Sequence, residues 1–83
     1  MAEDAVTNRL RWQCRRGMLE VDLLLNGFLD RAYASLSDDE RAHFSALLEY
    51  PDQVLVEWLM GRARPDDPDL AHVVERIRDT FEP

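Results

Sequence analysis

The sequence predicts an all-α protein, a compact bundle of five short helices, and three observations support that prediction. Apolar residues recur at steps of three and four in separate segments, which is the spacing of a buried helix face. No segment alternates apolar and polar residues between hairpin turns, as a half-buried strand would. A chain of 83 residues suffices for one small core, so we expect a single domain over residues 1–83.

The first predicted helix covers residues 5–15, because Val6, Leu10 and Cys14 fall on one face at steps of four. Trp12 lies on a different face, and its position is compatible both with the core and with an exposed contact. Gly17 ends this helix, since glycine is unfavourable inside helices and readily adopts a positive φ at their ends.

The second predicted helix covers residues 18–34, and Gly27 within it would let a neighbouring helix approach closely. The third covers residues 37–49 and begins with Ser37. Ser37 and Glu40 have the spacing of a capping box, in which each side chain bonds the backbone amide of the other residue.

The fourth predicted helix covers residues 52–61, with Pro51 in its first turn and Gly61 at its end. The fifth covers residues 68–81, because Asp67 followed by a proline is a typical helix start. Its apolar residues form the clearest helical stripe of the sequence: Leu70, Val73, Val74, Ile77 and Phe81.

Charge is unevenly distributed along the chain. Residues 1–17 contain four arginines and two acids, whereas residues 18–83 contain six arginines and fifteen acids. The net charge of -7 excludes general nucleic-acid binding, since phosphates would be repelled. The basic N-terminal segment predicts a face for an anionic partner, unless its arginines only neutralise neighbouring acids.

The sequence predicts a cytoplasmic protein that is not inserted into a membrane. The longest apolar run is only a few residues, far short of a membrane-spanning helix. The acidic start, Met1–Asp4, is unlike a secretory signal or a transit peptide. One cysteine cannot form an internal disulfide, which suits a reducing compartment.

Residues suited to catalysis or metal binding are sparse, so we expect no enzyme and no metal site. The chain contains no lysine, which removes Schiff-base chemistry. His43 and His72 are far apart, and neither has a second histidine or a cysteine at metal-ligand spacing. Arg15 and Arg16 could activate the thiol of Cys14, but its apolar helix face favours a packed, structural cysteine.

The junction segment, Trp12–Asp22, combines arginines, a glycine, a methionine and carboxylates between two predicted helices. Gly17 would let a backbone or a flat ligand approach, and Arg16 offers a planar set of donors. The alternative interpretation is a plain helix junction in which Arg16 and Glu20 form a surface ion pair.

The junction segment resembles the signature of the succinate dehydrogenase assembly factors, the flavinylation factors called SdhE in bacteria. The pattern is Arg16-Gly17-Met18-x-Glu20-x-Asp22, preceded by Trp12-x-Cys14-Arg15. The resemblance continues through Ser35–Glu40, Leu47–Glu49 and Trp58–Met60, and covers about residues 8–80.

The resemblance implies a small five-helix chaperone that promotes covalent attachment of FAD to the flavoprotein subunit of succinate dehydrogenase, with fumarate reductase as a further client. Covalent attachment is largely the client's own chemistry, so no stably bound cofactor and no catalytic residue is implied. The family's functional residues correspond to Arg16, Gly17 and Glu20. Neighbouring residues implied to complete the client or flavin contact are Arg9, Met18, Asp22 and Trp58. We expect a monomer when free and assign no role beyond Phe81.

Two alternative functions remain open from the sequence. Members of this family have been described as antitoxin-like proteins, and the partner would then be a small toxin and flavin would be irrelevant. The chain could also be a general helical interaction module with no link to flavin.

Overall fold

The computed structural model describes residues 5–81, and all the regular secondary structure in this region is helical. The elements are α1 (Ala5–Gln13), α2 (Leu19–Ala32), a 3₁₀ turn (Tyr33–Ser35), α3 (Asp38–Leu47), α4 (Asp52–Leu59) and α5 (Pro68–Phe81). The predicted all-α bundle of five short helices is confirmed. None of the helices within the described residues has the length and apolar character needed to cross a membrane.

Four of the predicted helices end two residues too late, and the early ends of α3 and α4 have a local cause. Gly61, with φ of 79°, directly follows the C-cap of α4 and stops that helix. The prediction that Gly17 ends α1 is wrong: the helix ends at Gln13, and Gly17, with φ of 76°, belongs to the turn four residues further on. After Leu47 the backbone tightens into i→i+3 bonds, from Glu49 N to the carbonyl of Ala46 at 3.1 Å. Pro51 is the N-cap of α4, one position before the first turn in which the sequence placed it.

Two helix starts follow the sequence patterns closely. Ser37 and Glu40 form the predicted capping box, with 2.9 Å from Ser37 N to Glu40 Oε1 and 3.1 Å from Glu40 N to Ser37 Oγ. At the start of α5 the Asp67 carboxylate accepts from the Asp69 amide at 2.8 Å. Both caps satisfy amides that a helix start leaves without partners.

Helix α5 lies at the centre of the bundle, in contact with α2, α3 and α4. Its predicted apolar stripe faces the core, with four members buried and Phe81 half-buried. Gly27 of α2 faces Phe81, whose ring occupies the space that a β-carbon would need. The absence of a side chain at Gly27 therefore makes room for the Phe81 ring.

Candidate functional site

The turn between α1 and α2 is held by the helix that follows it. Asp22, in the first turn of α2, accepts hydrogen bonds from two consecutive backbone amides: Arg16 N at 2.7 Å and Gly17 N at 3.2 Å. Gly17 is exposed and has φ of 76°, and a β-carbon built there would meet nothing within 4 Å. Gly17 is therefore fixed in the left-handed region, where glycine is favoured, with open space in front of it.

The Arg16 guanidinium is turned away from solvent and joins three parts of the chain. Its Nε donates to the Gln13 carbonyl at 2.8 Å, at the end of α1. Its Nη1 donates to the Tyr50 carbonyl and to Asp52 Oδ1, each at 3.1 Å. Its Nη2 donates to the Leu48 carbonyl.

These contacts follow from the ends of two helices. The carbonyls that follow α3 lack helical partners, and the C-terminal end of a helix favours a positive charge. Asp52 lies in the first turn of α4, where a carboxylate is favoured. Arg16 lies between these two ends with only 14% of its side chain exposed, and Asp52 is 43% exposed. The alternative interpretation, in which Arg16 pairs with Glu20, is wrong, because Arg16 pairs with Asp52.

The residues implied to contact a client are not equally available to one. Arg9, Gly17 and Glu20 are exposed, whereas Met18 is half-buried against the core. The side chain of Glu20 makes no hydrogen bond or ion pair with residues 5–81. Glu20 is thus an unpaired carboxylate three residues beyond the exposed Gly17, in the first turn of α2.

The two tryptophans have different environments. Trp12 is 72% exposed, and the Arg15 guanidinium lies 5.4 Å from the centroid of its ring. Of the two interpretations of Trp12 that the sequence allowed, the one that places it in the core is therefore wrong. Trp58 is half-buried on α4, with its ring centroid 5.0 Å from that of Tyr50, the residue whose carbonyl accepts from Arg16.

The structure links Arg16, Gly17 and Asp22 directly, and it connects Trp58 to them through Tyr50. Arg9 is exposed on α1 and has no contact that joins it to this group. Sequence reasoning missed Asp52. Its position after Pro51 indicated only a helix start, and nothing in the sequence indicated that Arg16 would reach it.

Cys14 is a packed cysteine, as its position on the apolar face predicts. Its side chain is fully buried. Burial raises the pKa of the thiol to about 12, and this effect outweighs the opposing influence of Arg16 and Arg11. The thiol therefore stays protonated and does not act as a nucleophile at neutral pH.

Residues 5–81 contain no group of three or more histidine, cysteine, aspartate or glutamate residues that could hold a metal ion. The features that this region does offer to a partner are an exposed backbone turn, an unpaired carboxylate and exposed apolar and basic side chains. Such a surface suits recognition of another macromolecule.

Comparison with known proteins identifies the family. The family model described as "Flavinator of succinate dehydrogenase" matches residues 8–81. The FAD assembly factor SdhE of Shewanella oneidensis is 45% identical over 75 residues, 90% of this chain and 92% of the relative. The corresponding proteins of Pseudomonas aeruginosa and Coxiella burnetii are 42% and 37% identical, over 100% and 94% of this chain and 99% and 95% of their own lengths. The chain belongs to the flavinator of succinate dehydrogenase family.

Proposed function

We propose that this protein is a cytoplasmic FAD assembly factor that promotes covalent flavinylation of the flavoprotein subunit of succinate dehydrogenase. The observation that carries the proposal is the family match over residues 8–81. Within it, Gly17 is exposed on a turn that Asp22 holds, and Glu20 is exposed in the first turn of α2. Fumarate reductase is a second client in this proposal. Residues 1–83 act as one domain, monomeric when free.

The residues of the junction segment divide into two groups in this proposal. Gly17 and Glu20, with Arg9 on α1, contact the client, because their surfaces are free to do so. Arg16 and Asp22 hold the turn in shape, because their polar groups are engaged within the protein. Met18 and Trp58 support this surface from partly buried positions and contribute their exposed edges.

The protein acts by binding and has no catalytic site of its own. Its contribution is to bind one conformation of the client more tightly than another, which shifts the client's population towards the state that is competent for attachment. A preference of about 10⁴-fold turns a 1:99 minority into the dominant state. The client supplies the histidine that becomes linked and the residues that drive bond formation, and it holds the FAD.

The test is a flavinylation assay with the purified chain, FAD and the purified apo flavoprotein subunit. Covalent flavin is measured as fluorescence of the denatured subunit on a gel. We expect slow attachment without the chain and faster attachment with it. An Arg64→Ala variant, which changes an exposed side chain on the loop between α4 and α5, is expected to match the unmodified chain.

Three results would contradict the proposal. One is an unchanged rate of attachment when the chain is present. The second is a stable yellow complex of FAD with the isolated chain, which would make it a flavin carrier. The third is capture of a small toxin, and not of a dehydrogenase subunit, when the chain is isolated from its own cells with its partners.

A further inference from the structure

A groove of about 550 Å³ lies between the first turn of α2 and the end of α4. Its walls are mainly apolar and come from Met18, Leu19, Val56 and Met60, while Glu20 and Arg62 add its charged groups. We call it the α2/α4 groove. Its lining includes Glu20 and Met18, the residue that follows Gly17 in the chain, so it involves the junction segment.

One of the large exposed apolar side chains of the protein, Leu19, lies in the wall of this groove. The large exposed apolar side chains among residues 8–81 are Trp12, Leu19, Leu23 and Tyr50, which are 72%, 74%, 62% and 38% exposed. A single exposed leucine is ordinary on a protein surface, whereas an exposed leucine in the wall of an apolar groove, as Leu19 is, enlarges an apolar contact surface. Leu19 belongs to the wall of the groove, whereas Leu23, one helical turn further along α2, does not.

The charge of the groove selects the kind of partner. Arg62 Nη1 lies 3.2 Å from Glu57 Oε2, so the positive charge on this side already has a counter-ion. Glu20 has no partner among the described residues. The uncompensated charge is therefore negative, and a cation on the partner complements it.

We propose that the α2/α4 groove receives an amphipathic segment of the client flavoprotein, which places an apolar side chain between Leu19 and Met60 and an arginine or lysine against Glu20. The inference rests on the proposed function, and it adds α4 to the contact surface and specifies the chemistry of the client segment. Methionine walls suit this task, because flexible thioether side chains adapt to an incoming apolar group. The Glu20 carboxylate then forms a charge-assisted hydrogen bond that fixes the segment's register.

The apolar half of the proposal is tested with a matched pair of variants, Leu19→Ser and Leu23→Ser. Both remove an exposed leucine from the same helix, so neither is expected to lower the melting temperature appreciably. Binding to the purified apo flavoprotein subunit is measured by calorimetry. We expect Leu19→Ser to weaken the Kd by about 10-fold or more, since an apolar side chain loses its burial, and Leu23→Ser to bind like the unmodified chain.

The electrostatic half is tested with Glu20→Arg and the control Asp79→Arg, an equal charge change at an exposed carboxylate on α5. We expect Glu20→Arg to weaken binding at least 10-fold at low salt, and Asp79→Arg to change it much less. Binding of the unmodified chain should weaken as sodium chloride is raised, because salt screens the ion pair. Glu20→Arg should lose that dependence.

The outcomes separate this inference from the function on which it rests. If the unmodified chain does not bind the flavoprotein, the proposed function fails. If it binds but both leucine variants behave alike, or both charge variants do, the groove is not the docking site. Sedimentation provides one more test: a chain that self-associates until Leu19→Ser makes it monomeric would identify a second copy as the occupant and overturn the inference.

Discussion

Arg16 Nη1 lies 3.1 Å from Asp52 Oδ1, and this pair connects residues that are 36 positions apart in the chain. It joins the turn between α1 and α2 to the start of α4. The same guanidinium bonds the carbonyls of Leu48 and Tyr50, so the pair belongs to a local network of hydrogen bonds. A side chain so engaged keeps the neighbouring Gly17 in place and is poorly available to a partner.

The first prediction is that Arg16 contributes mainly to stability. Arg16→Ala removes the donors to three backbone carbonyls, those of Gln13, Leu48 and Tyr50, and the cation beside Asp52. We expect the free energy of unfolding to fall by about 2–3 kcal/mol. Urea unfolding followed by circular dichroism measures the loss. Arg64→Ala is the control, because its ion pair with Glu75 is exposed and should contribute less than about 1 kcal/mol. Equal losses in the two variants would contradict the prediction.

Arg16→Lys separates the charge from the shape of the group. Lysine keeps a positive charge but lacks the planar fork that reaches several acceptors at once. We expect a stability between those of the unmodified chain and Arg16→Ala. Client binding is measured at a temperature where the unmodified chain, Arg16→Ala and Arg16→Lys are all folded. The free energy of binding should then change less than the free energy of unfolding does. A variant that is fully stable yet fails to bind would place the guanidinium in the client contact.

Local signals in the sequence predicted much of this fold. The stripe on α5 and the capping box at Ser37 and Glu40 depend on residues within one or two helical turns, so their spacing determines the result. The contacts of Arg16 depend on how α3 and α4 pack against the end of α1. No spacing within the junction segment carries that information, which explains why Glu20 was an expected partner and Asp52 was not.

The second prediction concerns Gly17. Its φ of 76° disfavours other residues, although the space in front of it is open. Gly17→Asn should cost little stability, because asparagine tolerates the left-handed region, whereas Gly17→Arg should cost about 1–2 kcal/mol and still fold. If the client approaches this turn, Gly17→Arg blocks flavinylation and Gly17→Asn retains most of it. Full activity of a folded Gly17→Arg variant would exclude a close contact here.

The third prediction is that Cys14 does not react in the folded protein. The thiol is fully buried, and burial raises its pKa to about 12. A disulfide reagent added at pH 8 should therefore modify it only as fast as the bundle opens. The rate should rise steeply with urea, in parallel with unfolding. Rapid modification without denaturant would mean that α1 detaches from the core far more readily than its packing indicates.

The last prediction is a loss of stability in acid that depends on Glu40. The backbone amide of Ser37 and the side chain of His72 bond this carboxylate, with Arg76 Nη1 at 2.8 Å, and they lower its pKa from 4.5 to about 2. The folded state therefore holds the charged form more firmly than the unfolded state does. The contribution of Glu40 to the free energy of unfolding is therefore complete above pH 4.5, and it is lost as the pH falls towards 2.

The measurement is a set of thermal melts between pH 2 and pH 7 for the unmodified chain, Glu40→Gln and Asp79→Asn. At pH 7 Glu40→Gln should melt at a lower temperature, because it loses the charged capping interaction and the contacts to α5. Its melting temperature should then fall less between pH 4.5 and 2, the window in which Glu40 of the unmodified chain becomes protonated. Asp79→Asn should follow the unmodified chain, because this exposed carboxylate has no partner among the described residues. Parallel curves for Glu40→Gln and the unmodified chain would show that the capping box and its link to α5 do not carry the acid sensitivity.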